Sequence, residues 1–487
     1  MAGSVTVVGS RLFSGGVGST NGSLGLLTVT GAFQAGAISP LQSVLTQYST
    51  GVVAGTRNFE NIDVAGLSGN QAVTAGSSST GVFELSNTSS IDGSVTAGSM
   101  DVTVNLSSAY NVIVADAPGK ATINGGGAAN TLAVFAGESS VTYNTGGGNG
   151  TVLAGGAGDN ILVSGSFYSV VGSSTGGDSI AAGGSSAVIN TYGANNVLGL
   201  FAGSTTVNVA GSGDFVENYN SGITGDIFVS GANDRVLVDG GSDTVTAVNG
   251  NSGLDVFFNL SGGSLDFINA SNSSATVSGA VSGAIGGSVT AFGGAGGGTY
   301  IGGPGGNNSL IGGTGLVSVY ASGTGNLLSV NGAGAAGNLL SVGNSGTSTL
   351  AASASTTNNT FFGGTSGSSV MQSSGTGLQT FFVGSGDAET LTGSTSTVSG
   401  SANDYYFLQN SSGSGKDVIT NFRLATDKIY INTIGGDSGV AVSSFVANSG
   451  AAGGSIIFLT DNTTITLYGV STEQLTAKGI KAGSTTI

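Results

Sequence analysis

The sequence predicts an all-β protein, a parallel β-helix or β-roll solenoid with a β-rich cap region before it and a β-rich region after it. Three observations carry this. Short apolar runs separated by Gly, Ser and Asn recur about every nine to eleven residues through most of the 487-residue chain. Nearly verbatim segments return after about ten or twenty residues. Glycine supplies 92 residues against 3 prolines, which suits tight corners and excludes collagen and proline-rich linkers. A strand of four to six residues followed by a tight turn, repeated at fixed pitch, buries its apolar face only against the neighbouring coil.

Residues 1–95 form the first region. Strand-like runs at Ser4 to Val8, Leu26 to Thr30 and Gln71 to Thr74 surround one helical candidate. It opens at Ser39-Pro40, a cap residue followed by the residue favoured at the first helical position, and extends to about Tyr48. This region reads as a cap or an assembly element.

Residues 96–400 form the repeat domain. Asp226 to Ser230, Asp234 to Asp239, Asp243 to Val248, Asp255 to Leu260 and Leu265 to Asn269 are successive strand signals. Val141-Thr-Tyr143 followed by Asn149, Ile189-Asn-Thr-Tyr192 followed by Asn196, and Val317-Ser-Val-Tyr320 followed by Asn326 share one layout. Asn326-Leu-Leu-Ser-Val330 recurs as Asn338 to Val342, and Phe361-Phe362 returns twenty residues on as Phe381-Phe382. Two strands per coil of about twenty residues is the simplest fit, and at ~4.8 Å per coil such a stack reaches on the order of 70 Å. Glycine and asparagine tolerate positive φ at the corners without any ligand.

Composition narrows the chemistry. Charged residues make up 7% of the chain, 9 basic against 25 acidic, for a net charge of −16. The basic residues are scattered singly, which argues against a nucleic-acid partner. There is no cysteine, histidine or tryptophan, which removes disulfides, zinc sites and imidazole acid/base chemistry together. The pattern Gly172-Ser-Ser-Thr-Gly176 has no histidine to activate its serine, and no pair of carboxylates is singled out, so no enzymatic activity is expected. No apolar run is long enough to span a membrane, and Met1 to Ser10 lacks the basic start and apolar core of a cleaved signal peptide.

Residues 401–487 carry a more specific signal. Lys416-Asp-Val-Ile-Thr-Asn-Phe422 and Asp427-Lys-Ile-Tyr-Ile431 are followed by Ile456-Ile-Phe-Leu459 and Thr464-Ile-Thr-Leu-Tyr-Gly-Val470. This segment resembles the C-terminal region of RTX (repeats-in-toxin) proteins, where an Asp-Val-Ile-x-x-Phe element and an Asp-x-Ile strand precede a hairpin with a Leu-x-Gly-Val turn. The resemblance implies type I secretion from a Gram-negative bacterium, with the export signal at the C-terminus.

It also implies Ca²⁺ held by Gly carbonyls and Asp carboxylates of Gly-Gly-x-Gly-x-Asp repeats. The copies here are degenerate. Gly155-Gly-Ala-Gly-Asp159-Asn160 has its Asp one position early, Gly302-Gly-Pro-Gly-Gly-Asn307-Asn308 has no carboxylate, and Asp234 and Asp243 keep the nine-residue spacing. The candidate calcium ligands are Asp159, Asp178, Asp234 and Asp243 in the repeats and Asp417 and Asp427 in the closing segment. Asp214 and Asp255 are further acids of the same kind. For all of them turn or strand capping is the competing reading. Similarly, the tyrosines and paired phenylalanines read either as stacked core and corner residues or as an aromatic strip for carbohydrate.

A thin glycine-rich coil has little core to oppose the entropy of ordering it, so bound Ca²⁺ or a neighbouring subunit is expected to add stability. The functional expectation is a secreted structural protein that forms a homo-oligomer or polymer through solenoid ends or edges, as a filament, surface layer or biofilm matrix. The alternative is a surface adhesin or carbohydrate-binding protein, meeting extracellular polysaccharide or the outer-membrane surface.

Overall fold

The structure is a computed structural model. It describes residues 3–10, 24–31, 58–63, 71–75, 81–86, 101–106, 112–116, 119–124, 132–135, 139–145, 149–219, 224–239, 241–248, 253–258, 264–269, 275–278, 287–330, 337–343, 346–352, 358–384, 388–408, 415–432, 440–450 and 453–487. The helical candidate at Ser39 to Tyr48 lies outside these residues. The described residues are nearly all β, and their parallel sheets form a β-solenoid. The chain divides into two compact units, Met1–Asp243 and Thr244–Ile487.

In the first unit, Gly3–Ser10 and Leu24–Gly31 make an antiparallel pair. From Asn58–Asp63 onward the strands alternate between two parallel sheets. One runs through Gly81–Ser86, Asn149–Leu153, Phe167–Val171, Ser186–Thr191, Ser204–Val209 and Thr224–Val229. The other runs through Ser139–Asn144, Asn160–Val163, Ser179–Ala182, Val197–Leu200, Phe215–Asn218 and Arg235–Val238. Asn149 pairs with Phe167, Tyr168 with Ala187, Ser186 with Ser204 and Ser204 with Thr224, so each coil takes 18 to 20 residues and two strands. Parallel pairing is continuous from Asn58–Asp63 into Val112–Asp116, on both sides of residue 95.

Strand alternation explains which residues form the core. Ser186–Thr191 alternates half-exposed and buried side chains along its whole length. Val170, Ile189, Val207 and Ile227 stack in register inside one sheet, and Ile161, Ile180, Leu198, Val216 and Val236 inside the other. Each fully buried aliphatic side chain contributes about 1.5–3 kcal/mol, and the column gains it once per coil. The corners need special backbone: Asn195 and Asn233 sit at φ 60° and 58°. At Gly231 a Cβ would overlap the carbonyl oxygen of Gly211 one coil away, so the corner closes only without a side chain.

The second unit repeats the plan. One sheet runs from Leu254–Phe258 through Gly298–Ile301, Val317–Ala321, Asn359–Phe362, Leu378–Val383 and Ala402–Leu408 to Lys428–Asn432. Its companion runs from Ser264–Asn269 through Ser309–Gly312, Asn326–Val330 and Ser348–Ala352 to Lys416–Ile419. Here too parallel pairing is unbroken across residue 400. Thr464–Leu467 adds in parallel to Lys416–Ile419, then pairs antiparallel with Ser455–Leu459, which pairs antiparallel with Val442–Ala447. The last residues return to the other sheet, where Ile429 N–H donates to Ile487 O and Ile431 N–H to Thr485 O, both at 2.8 Å. A short helix, Thr472–Ala477, lies between, started by Ser471 and Gln474 in a reciprocal capping box and seated by buried Leu475.

Candidate functional site: columns of buried acids and amides

At one corner of the first unit, the residue entering five successive strands of the second sheet is Asp or Asn. Asp159, Asp178, Asn196, Asp214 and Asp234 immediately precede Asn160–Val163, Ser179–Ala182, Val197–Leu200, Phe215–Asn218 and Arg235–Val238. All five are buried. Each points its Oδ1 at a backbone N–H of the preceding coil. The bonds are Val141 N–H to Asp159 at 2.9 Å, Asp159 N–H to Asp178 at 3.2 Å, Asp178 N–H to Asn196 at 3.0 Å, Asn196 N–H to Asp214 at 2.7 Å and Asp214 N–H to Asp234 at 2.9 Å. The side chains thus extend the ladder past the strand ends, where corner amides would otherwise be buried without acceptors.

The second carboxyl oxygen differs along the column. Asp178 Oδ2 accepts from Ser173 N–H at 2.9 Å. The Oδ2 atoms of Asp159, Asp214 and Asp234 are buried with no hydrogen-bond partner. Burial is the largest influence on all four and raises their pKa values, to about 7 for Asp159 and about 6 for Asp234. Asp243, in Ser242–Ala247 of the other sheet, accepts from Asn218 Nδ2 at 2.8 Å and is likewise raised by burial, to about 7.

In the second unit the equivalent columns are amides. Asn308 Oδ1 accepts Val289 N–H at 2.9 Å, and Asn326 Oδ1 accepts both Asn308 N–H at 3.2 Å and Asn308 Nδ2 at 2.8 Å. In the opposite sheet Asn338 Oδ1 accepts Val317 N–H at 3.0 Å, Asn338 Nδ2 donates to Asn359 Oδ1 at 3.0 Å, and Asn359 Nδ2 to Gln379 Oε1 at 2.8 Å. Both columns end on acids. Glu389 N–H donates to Asp417 Oδ1 at 3.0 Å, and burial pushes Asp417 to about 7 and Glu389 well above the ordinary glutamate range. Asn403 N–H and Nδ2 donate to Asp427, which also accepts from the Arg423 guanidinium at 2.9 Å, the Arg423 backbone N–H and the Thr426 hydroxyl.

The six candidate calcium ligands are therefore not gathered around a common point. Asp159, Asp178, Asp234, Asp417 and Asp427 each accept from an amide of the same column and Asp243 from Asn218 of the other sheet, and among the described residues no three acids converge on one point. Ca²⁺ takes six to eight oxygens, whereas each carboxylate of the first-unit column meets donors from the coil beside it and Asp427 is paired with a guanidinium. Asp159 and Asp178 share a column, Asp234 stands at its far end, and Asp243 belongs to the other sheet. Asp214 completes the column, whereas the side chain of Asp255 lies outside the described residues. Asn196, Asn308, Asn326 and Asn338 are members that a search for carboxylates alone passes over. The signal that reaches them is an Asp or Asn at intervals of 18 to 21 residues.

Two other candidates resolve locally. Ser174, the central serine of Gly172 to Gly176, is half-buried in a turn where the neighbouring Ser173 Oγ lies 3.0 Å from Thr175 Oγ1 and accepts Gly176 N–H at 3.1 Å. The aromatic pairs split into two columns. Phe361, Phe381 and Tyr405 stack inside at centroid separations of 4.8 and 5.0 Å. Phe362, Phe382, Tyr406 and Tyr430 stack on the outer face at 4.5, 5.1 and 4.5 Å. The inner rings are core, as their coil spacing predicts. In the outer column, ring covers ring, so the faces a sugar would stack on are occupied by neighbouring rings.

No family model, no curated protein and no solved structure matches this chain.

Proposed function

We propose that the chain is a secreted structural protein that self-associates into an extracellular filament, surface layer or matrix. The observation that carries this reading is the make-up of the outer faces. Among the described residues twelve large apolar side chains are well exposed, including Phe167, Val197, Phe201, Tyr219, Phe292 and Leu327, on a chain with only 7% charged residues. Exposed apolar surface with so few charges to keep copies apart favours association. The sheets themselves are repetitive, so one favourable contact recurs at every coil. Export by a type I route from a Gram-negative bacterium rests on the RTX-like run of Lys416 to Val470.

Sedimentation of the purified chain over a range of concentrations tests the reading. Association that grows with concentration and is weakened by placing lysine at Phe167 and Val197 supports it. A chain that stays monomeric at all concentrations and is retained on polysaccharide instead favours the adhesin alternative.

A further inference from the structure

The outer aromatic column begins at Phe362, and there it has one uncovered face. Its rungs follow the register of the sheet, Phe362 beside Phe382, Phe382 beside Tyr406 and Tyr406 beside Tyr430, at centroid separations of 4.5, 5.1 and 4.5 Å. One coil before Phe362 the same position is Ser341, and one coil before that it is Tyr320. All three side chains stand on the outer face, because their chain neighbours Val319, Leu340 and Phe361 are buried inside. Among the described residues Tyr320 makes no ring contact, and Phe362 makes one, to Phe382. The ladder is therefore short of one rung. Two coil steps set the Tyr320 and Phe362 positions about 9–10 Å apart, twice the separation at which rings stack, so the slot over Ser341 has the width of a single ring. Leu339 and Gly343 flank Ser341 on the same strand face. The polar groups are the hydroxyls of Ser341 and Tyr320, too few to surround a sugar, which favours an aromatic ring as the occupant.

A matching knob stands on the first unit. Phe167 is the most exposed phenylalanine among the described residues, at 47%, and makes no ring contact there. In register with it on the outer face are Asn149 one coil before and Ser186 one coil after, so both faces of its ring border small polar side chains.

We propose that the Phe167 ring of one copy enters the slot between Tyr320 and Phe362 of the next copy and completes the outer column across the contact. This rests on the self-association reading and names the surfaces that association uses. Charge points to a second copy as the source of the ring. The chain carries a net charge of −16, so copies repel one another except where they meet on uncharged ground. No residue from Phe267 to Gly386 is charged, and the slot lies within that stretch. Between Glu138 and Asp214 the only charged residues are Asp159 and Asp178, both buried, so the ground around Phe167 is uncharged too. Knob and slot are different surfaces, which makes the contact heterologous. Each pair keeps one knob and one slot free, and further copies add to it as a chain or a ring.

The test is sedimentation velocity of the full chain, of its S341F and F167S variants, and of the two variants mixed. S341F supplies the missing rung from within the chain, so it is expected to keep or raise the urea midpoint while weakening self-association roughly tenfold or more. F167S changes an exposed position and is expected to weaken association to the same degree without touching the core. S341F keeps its knob and F167S keeps its slot, so an equimolar mixture is expected to form pairs and nothing longer. Y320S, which removes one wall of the slot without adding volume, gives the same reading if the added ring of S341F lowers the midpoint. A wild type that associates while the variants associate equally well overturns this contact and leaves the self-association reading standing. A wild type that stays monomeric overturns both. Cellohexaose bound by the wild type and F167S but not by S341F, with association unchanged, makes the slot a sugar site and overturns the proposal.

Discussion

Asn196 gives both its backbone N–H, at 2.7 Å, and its side-chain Nδ2, at 2.9 Å, to a single oxygen, Oδ1 of Asp214. Its own Oδ1 in turn receives Asp178 N–H. One amide side chain therefore ties three successive coils together at a corner, where the strands themselves have ended. Inside a dry interior such a link matters because each group it satisfies has no water to turn to.

Replacing Asn196 by alanine leaves the Asp178 N–H without its acceptor and removes one donor from Asp214. We expect a loss of about 1–3 kcal/mol, the cost of stranding a buried polar group, seen as a lower urea midpoint with an unchanged slope. A midpoint equal to that of the wild type would show that the corner rearranges freely.

Phe381 is fully buried between Phe361 and Tyr405, whereas Phe382 stacks on the outer face between Phe362 and Tyr406. We expect Phe381→Ala to cost about 3–5 kcal/mol and Phe382→Ala only about 0.5–1.5 kcal/mol, because the second loses ring stacking and little burial. Binding to polysaccharide, measured on the same variants, is expected not to depend on Phe382.

Glu389 is 1% exposed and stands above Asp417, whose charge adds to the effect of burial in raising it. Its folded pKa exceeds the unfolded one, so its contribution is greatest in acid and falls as pH rises. Glu389→Gln is therefore expected to be neutral near pH 4 and stabilising at pH 8, by thermal unfolding. A variant less stable than the wild type at pH 8 would mean that the carboxylate has a partner worth more than its burial costs.

The Arg423 guanidinium bonds Asp427 at 2.9 Å and the Ser401 carbonyl at 3.3 Å, and also reaches the carbonyl of Ser396. Arg423→Ala strands a buried carboxylate. We expect a loss of about 3–5 kcal/mol, and Arg423→Ala with Asp427→Asn is expected to recover part of it. No recovery in the double variant would place the value of Arg423 in its carbonyl contacts.

Much of this fold was legible in the sequence because strand period and coil pitch are both short. Phe361 and Phe381 lie twenty residues apart and meet ring to ring; the strands at Asp226, Asp234 and Asp243 fall where their apolar alternation puts them. The acids were harder. Asp159 stands one position early for an RTX repeat, and in a strand of period two that single step turns the carboxyl inward, while Asn160 faces out. Asp234 and Asp243 keep a nine-residue spacing, but nine residues is half a coil and leads to the other sheet. The helix Thr472–Ala477 is hard to read from sequence, although Ser471 and Gln474 carry its capping signal three residues apart. Six residues are too few for apolar periodicity to register, and docking of Leu475 supplies what propensity alone does not.

Electron microscopy of the purified full-length protein tests the self-association reading most directly. Ordered fibres or sheets that grow with protein concentration are the result expected of a repetitive, weakly charged solenoid with apolar outer faces. Dispersed single particles at every concentration would contradict it.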